Sequence, residues 1–225
     1  MLYFIPTPIG NKEDVTVRAL RLLRELTVFF CEDTATTKKL MNMYDISLMG
    51  KQFLPFTSFT DQSKINHYEN IMSTTDCGVL SEAGTPWLSD PGKSLIKLAR
   101  EKEIKFEVLP GANALIPTVV AAYCDTSTFY YYGFLPTKKG RQTALKEMMA
   151  HAENTPVFFY ESVHRVEKLL EELVTLEYEW VVFVARELSK MFEQKLIGTP
   201  KELLEKITAK EFVIKGEFVI WLRKN

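Results

Sequence analysis

Cys77-Gly78-Val79-Leu80-Ser81-Glu82-Ala83-Gly84-Thr85-Pro86-Trp87-Leu88-Ser89-Asp90-Pro91-Gly92-Lys93 runs from a short apolar stretch into a loop broken by glycines and prolines. The apolar run reads as a buried strand over residues 77–81, and the segment behind the loop reads as a helix over 93–101. A further strand is expected over 105–109. Strand, loop, helix and strand at this spacing make a βαβ unit, whose crossover leaves the two strands parallel. Open sheets of this kind hold ligands beyond the carboxyl ends of their strands, and residues 81–92 occupy that position.

The same alternation extends towards the N-terminus. Residues 2–5 read as a strand, ended by the turn Pro6-Thr7-Pro8-Ile9-Gly10-Asn11. Val17, Leu20, Leu23 and Leu26 recur at three-residue steps beside Arg18, Arg21 and Arg24, close to one helical face over residues 14–26. A strand over 28–31 and a helix over 36–44 follow. Beyond Pro110-Gly111 the pattern changes. A helix over 112–123 is followed by an aromatic strand over 129–133 and by a loop over 134–141. Strands over 157–160, 181–185, 193–198 and 217–222 then outnumber helices over 163–174 and 201–207, which predicts a mixed sheet. The expectation is an α/β protein of two domains, residues 1–115 with a mainly parallel sheet and residues 116–225 with a mixed one.

The 225 residues are 46% hydrophobic and 25% charged, ordinary values for a globular chain. With 28 basic and 29 acidic residues the formal charge is −1, so attraction to nucleic acid would have to come from a local basic face. Cys31, Cys77 and Cys124 form neither a metal knuckle nor a dense disulfide framework, which suggests a reducing compartment. The N-terminus lacks a basic leader region, and no apolar run approaches the roughly 18–20 residues that span a bilayer. A cytoplasmic protein without membrane attachment is expected.

Glycine-rich phosphate-binding patterns and histidine metal clusters are missing from the sequence, so no metal is expected. What remains is a series of loops at strand ends. Residues 81–92 carry Glu82 and Asp90, and a carboxylate loop without phosphate-binding features suits a ligand bearing positive charge or ribose hydroxyls. Asp90 could equally cap the following helix. Glu32-Asp33-Thr34 is open to capping or to catalysis, and Pro110-Gly111-Ala112-Asn113 to ligand approach or to a plain turn. Tyr160-Glu161-Ser162 and Arg186-Glu187-Leu188-Ser189-Lys190 follow strands of the second half. Lys138, Lys139 and Arg141, with Lys146 nearby, form the densest basic cluster and sit behind Tyr130, Tyr131 and Tyr132.

Taken in order, Thr7-Pro8-Ile9-Gly10-Asn11, Glu32-Asp33-Thr34, residues 81–92, Pro110-Gly111, Gly133-Phe134-Leu135-Pro136, Tyr160-Glu161-Ser162 with His164-Arg165, Arg186-Glu187-Leu188-Ser189-Lys190 and Gly216-Glu217 resemble the ribosomal RNA small subunit methyltransferase I family of the tetrapyrrole methylase superfamily. The resemblance covers essentially the whole chain. It departs from the family pattern at Ala35, where an arginine is usual, at Glu82, where an aspartate is usual, and over residues 58–63. It implies two α/β domains with S-adenosylmethionine in the cleft between them, a homodimer, and methylation of a cytidine ribose 2′-hydroxyl in 16S rRNA or the small ribosomal subunit. It further implies cofactor contacts from Pro8, Glu82, Gly84, Thr85, Pro86, Ala112, Asn113 and Tyr160, with Glu161, Arg186, Glu187 and Lys190 as candidate catalytic groups. Lys138, Lys139 and Arg141 are the candidate RNA contacts. Two other readings stand beside this one: a methyltransferase of the same superfamily acting on a small molecule such as a tetrapyrrole, and a non-catalytic S-adenosylmethionine-binding module.

Overall fold

The structure, a computed structural model, describes residues 1–57, 62–88, 93–122, 124, 127–176 and 179–224. Ser89, Asp90, Pro91 and Gly92, and with them the expected cap at Asp90, lie outside the described residues, as do residues 58–61 of the departing segment. The chain divides into two units, residues 1–113 and residues 114–225.

In the first unit, strands β1 (Leu2–Phe4), β2 (Val28–Cys31), β3 (Gln52–Pro55), β4 (Cys77–Leu80) and β5 (Phe106–Val108) form a sheet in the order β3-β2-β4-β1-β5. Every pairing is parallel. Side chains alternate across the pleat, and both faces are apolar. Leu2, Phe4, Val28, Phe30, Cys77 and Val79 meet α3 (Gln62–Thr74) and α4 (Lys93–Glu101). Ile5, Phe29, Cys31 and Leu80 meet α1 (Val17–Glu25) and α2 (Thr34–Met43). Helix α1 starts at Thr16, whose hydroxyl accepts from the Ala19 amide, and α2 starts at Asp33, whose carboxylate accepts from the Thr36 amide. Asp33 is therefore a helix cap, and that hydrogen bond lowers its pKa.

The helices after β1 and β2 cover one face, and those after β3 and β4 cover the other. Strand β4 lies between β2 and β1. Its loop therefore leaves the sheet towards one face while both neighbouring loops leave towards the opposite one. This reversal falls at the carboxyl end of β4, the place where sheets of this type accept ligands.

The second unit contains β6 (Tyr130–Phe134), β7 (Val157–Glu161), β8 (Trp180–Arg186), β9 (Gln194–Gly198) and β10 (Phe218–Lys224), in the order β6-β7-β10-β8-β9. Strands β6 and β7 are parallel, and the remaining pairs are antiparallel. One face, with Val157, Phe159, Val182, Val184, Phe218, Ile220 and Leu222, is covered by α6 (Arg141–Ala152), α7 (Val166–Val174) and α8 (Pro200–Thr208). Helix α5 (Leu115–Ala121) packs against β7 and β10. No helix of the described residues is long and apolar enough to cross a membrane.

A mixed second sheet and a parallel first one are as the sequence pattern led us to expect. Helix α5 is shorter than the expected 112–123, because its start waits until Leu115. Strand β3 and helices α3 and α6 were not anticipated.

Gly78 lies in the central strand β4, where an added Cβ would fall 2.7 Å from Cδ1 of Phe29. That ring is itself stacked on Phe53, with centroids 5.7 Å apart, so it has little room to retreat. Gly78→Ala should therefore lower unfolding stability by about 1–3 kcal/mol through overpacking, read as a reduced urea midpoint with an unchanged slope.

Candidate functional site

Three loops of the first unit meet beyond β1, β4 and β5. The backbones of Thr7 and Gly84 exchange hydrogen bonds of 2.9 and 3.0 Å, an isolated antiparallel bridge that clips the first loop to the β4 loop. Gly84 has φ +79°, and a Cβ there would stand 3.3 Å from Ile9 and 3.5 Å from the Ala112 carbonyl. Only glycine adopts this conformation without strain. Thr85 Oγ1 donates to the Ala112 carbonyl at 3.0 Å, which ties in the third loop. At Gly111 a Cβ would fall 2.4 Å from Pro6, so the first and third loops also need a bare backbone between them. Pro8, Glu82, Gly84, Thr85, Pro86, Ala112 and Asn113 are thus gathered by one set of interlocked turns. The Glu82 amide donates to Glu32 Oε2 at 3.1 Å, which places Glu32 beside the β4 loop as well.

Thr7 Oγ1 is buried in this cluster without a hydrogen-bond partner in the protein. A buried hydroxyl left unpaired costs roughly 1–3 kcal/mol, and a ligand atom seated here would relieve it. Sequence reasoning passed over Thr7 because its neighbour Pro8 carried the motif. Nothing in the sequence marks a hydroxyl that turns inward.

The second unit holds two charge clusters. At the end of β7, the Glu161 carboxylate is completely buried and surrounded by cations. Arg141 Nη1 stands 3.1 Å from one oxygen and Arg165 Nη2 stands 2.6 Å from the other, which also accepts the Ser162 amide at 2.7 Å. Arg141 reaches Glu172 as well, at 3.2 Å, and Arg165 donates to the Leu135 carbonyl at 3.0 Å. Two expected site residues are therefore engaged with one another. Both oxygens of the Glu161 carboxylate are taken up by Arg141, Arg165 and the Ser162 amide. The Arg141 guanidinium is buried between the carboxylates of Glu161 and Glu172. Lys138 and Lys139, just before it, are exposed.

The other cluster joins the loop after β8 to the start of β10. Lys190 Nζ lies 2.9 Å from Glu187 and 3.0 Å from Glu217. The Glu187 carboxylate also accepts the Glu217 amide at 3.0 Å. A Cβ at Gly216, where φ is +88°, would fall 2.3 Å from that carboxylate, which is why glycine precedes Glu217. Glu187 and Ser189 both adopt left-handed backbone, with φ of 52° and 66°. Such conformations cost about 1–3 kcal/mol each and gather at functional sites. Burial opposes ionisation of Glu187, but hydrogen bonds from Lys190 and the Glu217 amide outweigh it and lower its pKa. Burial likewise opposes the charge on Lys190, but its hydrogen bonds to Glu187 and Glu217 outweigh that and raise its pKa. Lys190 is accordingly a persistent cation.

Arg186 is buried and committed to structure. It donates to the carbonyls of Lys215 and Phe192, and to Gln194 at 3.2 Å. Tyr160 packs its ring against Tyr131 and Phe134. Among the described residues no three His, Cys, Asp or Glu side chains gather as a metal site. Burial pushes the thiols of Cys31 and Cys77 up to about 11, far from the range of a reactive thiolate.

Residues 1–204 match the family described as tetrapyrrole (corrin/porphyrin) methylases. A protein from Helicobacter pylori named ribosomal RNA small subunit methyltransferase I is 38% identical over 99% of this chain and 82% of its own length. Proteins of the same name from a Hydrogenobaculum species and from Halalkalibacterium halodurans are each 36% identical over the whole chain, covering 96% and 76% of their own lengths. Among solved structures, the methyltransferase CobJ superposes with a TM-score of 0.70 at 15% identity, covering 99% of this chain and 93% of that one. Uroporphyrin-III-C-methyltransferase from Thermus thermophilus gives 0.63 at 14%, over 99% and 93%. At these identities the structural likeness concerns the fold.

Removing one member of a buried ion pair strands its partner's charge. Arg141→Ala should therefore cost about 3–5 kcal/mol of stability, whereas Lys138→Ala and Lys139→Ala should each stay within about 0.5 kcal/mol of the parent. Urea denaturation of the three variants distinguishes a structural arginine from surface lysines.

Proposed function

The chain belongs to the tetrapyrrole methylase family, within its ribosomal RNA small subunit methyltransferase I members, and from that membership we propose that it methylates the 2′-hydroxyl of a cytidine ribose in 16S rRNA, using S-adenosylmethionine. The observation that carries this reading is near full-length identity of 33–38% to several curated proteins of that one name. The substrate is the small ribosomal subunit or its RNA, and the working form is a homodimer in the cytoplasm.

The residues of the first unit fit the cofactor. Thr7 offers an unpaired buried hydroxyl, Gly84 and Gly111 let backbone approach closely, and Glu32 and Glu82 bring carboxylates to a ligand carrying positive charge. Pro8, Glu82, Gly84, Thr85, Pro86, Ala112, Asn113 and Tyr160 are the residues that would hold it. The cofactor supplies an electrophilic methyl group on a sulfonium sulfur.

The protein's own contribution is mostly positioning, which alone lowers barriers of this kind substantially. Lys190 presents a fixed positive charge that would steady the developing alkoxide of an attacking ribose hydroxyl, whose proton leaves to solvent as the methyl group is taken up. Glu187 and Glu217 hold the ammonium in place and keep it protonated. Glu161 acts indirectly, by anchoring the chain on either side of Tyr160.

The decisive test is ribose-methylation mapping of small-subunit rRNA from a deletion strain, before and after adding the purified protein and S-adenosylmethionine. One protected ribose should reappear; restoration of none, with intact cofactor binding, would remove the rRNA reading. Lys190→Ala should lower the single-turnover rate at least about tenfold, as expected for a group acting mainly in the transition state, with cofactor affinity unchanged.

The pair also fixes a pH dependence. The folded pKa of Glu187 is lowered, so its stabilising contribution is present above the ordinary carboxylate range and is lost as pH falls through the folded value. That of Lys190 is raised, so its contribution is present below the ordinary lysine value and is lost only in strong alkali. The rate should therefore show no titration of this pair between about pH 6 and 9. Glu187→Gln removes the carboxylate charge beside the ammonium and should move the alkaline fall in rate to lower pH.

A further inference from the structure

We propose that the ring of Phe134 is a stacking platform for a nucleobase of single-stranded RNA, set beside Lys138 and Lys139 on one anchored loop. The proposal rests on the rRNA reading above and specifies the form of the substrate. Strand β6 is the edge of its sheet, and it carries a bulge: Tyr131 pairs with Phe158, but the next pairing joins Gly133 to Phe159, leaving Tyr132 as an extra residue. Gly133, with φ +80°, accommodates the kink. One inserted residue reverses the alternation of side chains beyond it. Phe134 therefore emerges on the same face as Tyr131 instead of the opposite one. Both rings pack on Tyr160, with centroids 5.2 Å away for Phe134 and 5.7 Å for Tyr131. Tyr160 backs Phe134 from one side, and yet Phe134 is 50% exposed to solvent.

The loop that follows is tethered at both ends to the buried Glu161 cluster. Arg165 holds the Leu135 carbonyl, and the Arg141 amide donates to the Lys138 carbonyl. Lys138 and Lys139 on this loop are exposed, within at most about 18 Å along the chain from Phe134. Exposed cations on the same loop as a supported, exposed aromatic ring are the pairing that binds unpaired strands, through phosphate attraction and base stacking. A base within a duplex already has both faces covered, so the platform selects single strands. A second copy of this chain would bring the same two lysines against themselves, and the like charges oppose that occupant.

The test measures anisotropy of a labelled, unstructured 12-nucleotide RNA and of the same strand in a duplex, with parent, Phe134→Ala, Phe134→Leu and Phe134→Trp. Phe134→Ala and Phe134→Leu should weaken single-strand binding about tenfold without changing the salt slope, and Phe134→Trp should restore it. Lys138→Ala with Lys139→Ala should instead reduce the slope. Calorimetry with S-adenosylmethionine, sedimentation and melting temperature should not change among the Phe134 variants. Unchanged RNA affinity in Phe134→Ala would overturn the platform. Lost S-adenosylmethionine affinity in its place would assign the ring to the cofactor's adenine, and a lighter sedimenting species would assign it to a second copy. Phe134-dependent RNA binding by a parent protein that methylates no rRNA would keep the platform and remove only the proposed methyl acceptor.

Discussion

A carboxylate withdrawn completely from water must be surrounded by positive charge and hydrogen-bond donors, and Glu161 imposes that requirement on much of the second unit. Meeting it brings together the start of α6 through Arg141, the entry to α7 through Arg165, and the end of β7 itself. Arg165 also catches the Leu135 carbonyl, so the segment leaving β6 is held by the same cluster. The cluster thereby fixes the end of β7, beside Tyr160, and the segment that follows Phe134 in one geometry.

The first unit solves its positioning problem with bare backbone. Gly84 and Gly111 let three loops press against one another where any side chain would push them apart. Gly216 serves the second unit in a similar way, leaving room for the Glu187 carboxylate that steadies Lys190. Charge and close approach thus divide the work. Carboxylates orient cations in residues 114–225, while glycines bring loops together in residues 1–113.

Much of this was legible in the chain, unevenly so. Strand β2 and helix α4 have the boundaries that their apolar runs suggest, because short buried strands and strongly amphipathic helices announce themselves. Strand β3 does not: Gln52-Phe53-Leu54-Pro55 is an edge strand, only partly buried, and it ends in proline. Helix α3 carries a weak apolar stripe, and α6 spreads its buried residues around Arg141, Ala144, Leu145 and Met148, starting with a buried arginine. The site shows the same pattern. The loops could be identified from their glycines and prolines. The role of Arg141 could not, because the run Lys138-Lys139-Gly140-Arg141 looks uniformly solvated until Glu161 and Glu172, 20 and 31 residues away, fold against its last member. Tyr132 was read within a regular strand, where a bulge leaves no mark in the residues themselves.

Among the strands of the described residues β10 comes latest in chain order, yet it sits in the middle of its sheet, between β7 and β8. The second sheet therefore stays in two pieces during synthesis, β6–β7 on one side and β8–β9 on the other, until residues 218–224 leave the ribosome. The first sheet has all five of its strands once residue 108 is made, and domains generally fold as units in order of emergence. A nascent chain would thus complete the loops around Thr7 and Gly84 while the two half-sheets still expose the edges that β10 will fill. In that interval those edges are open to pairing with other chains, and delivery of residues 218–224 closes them.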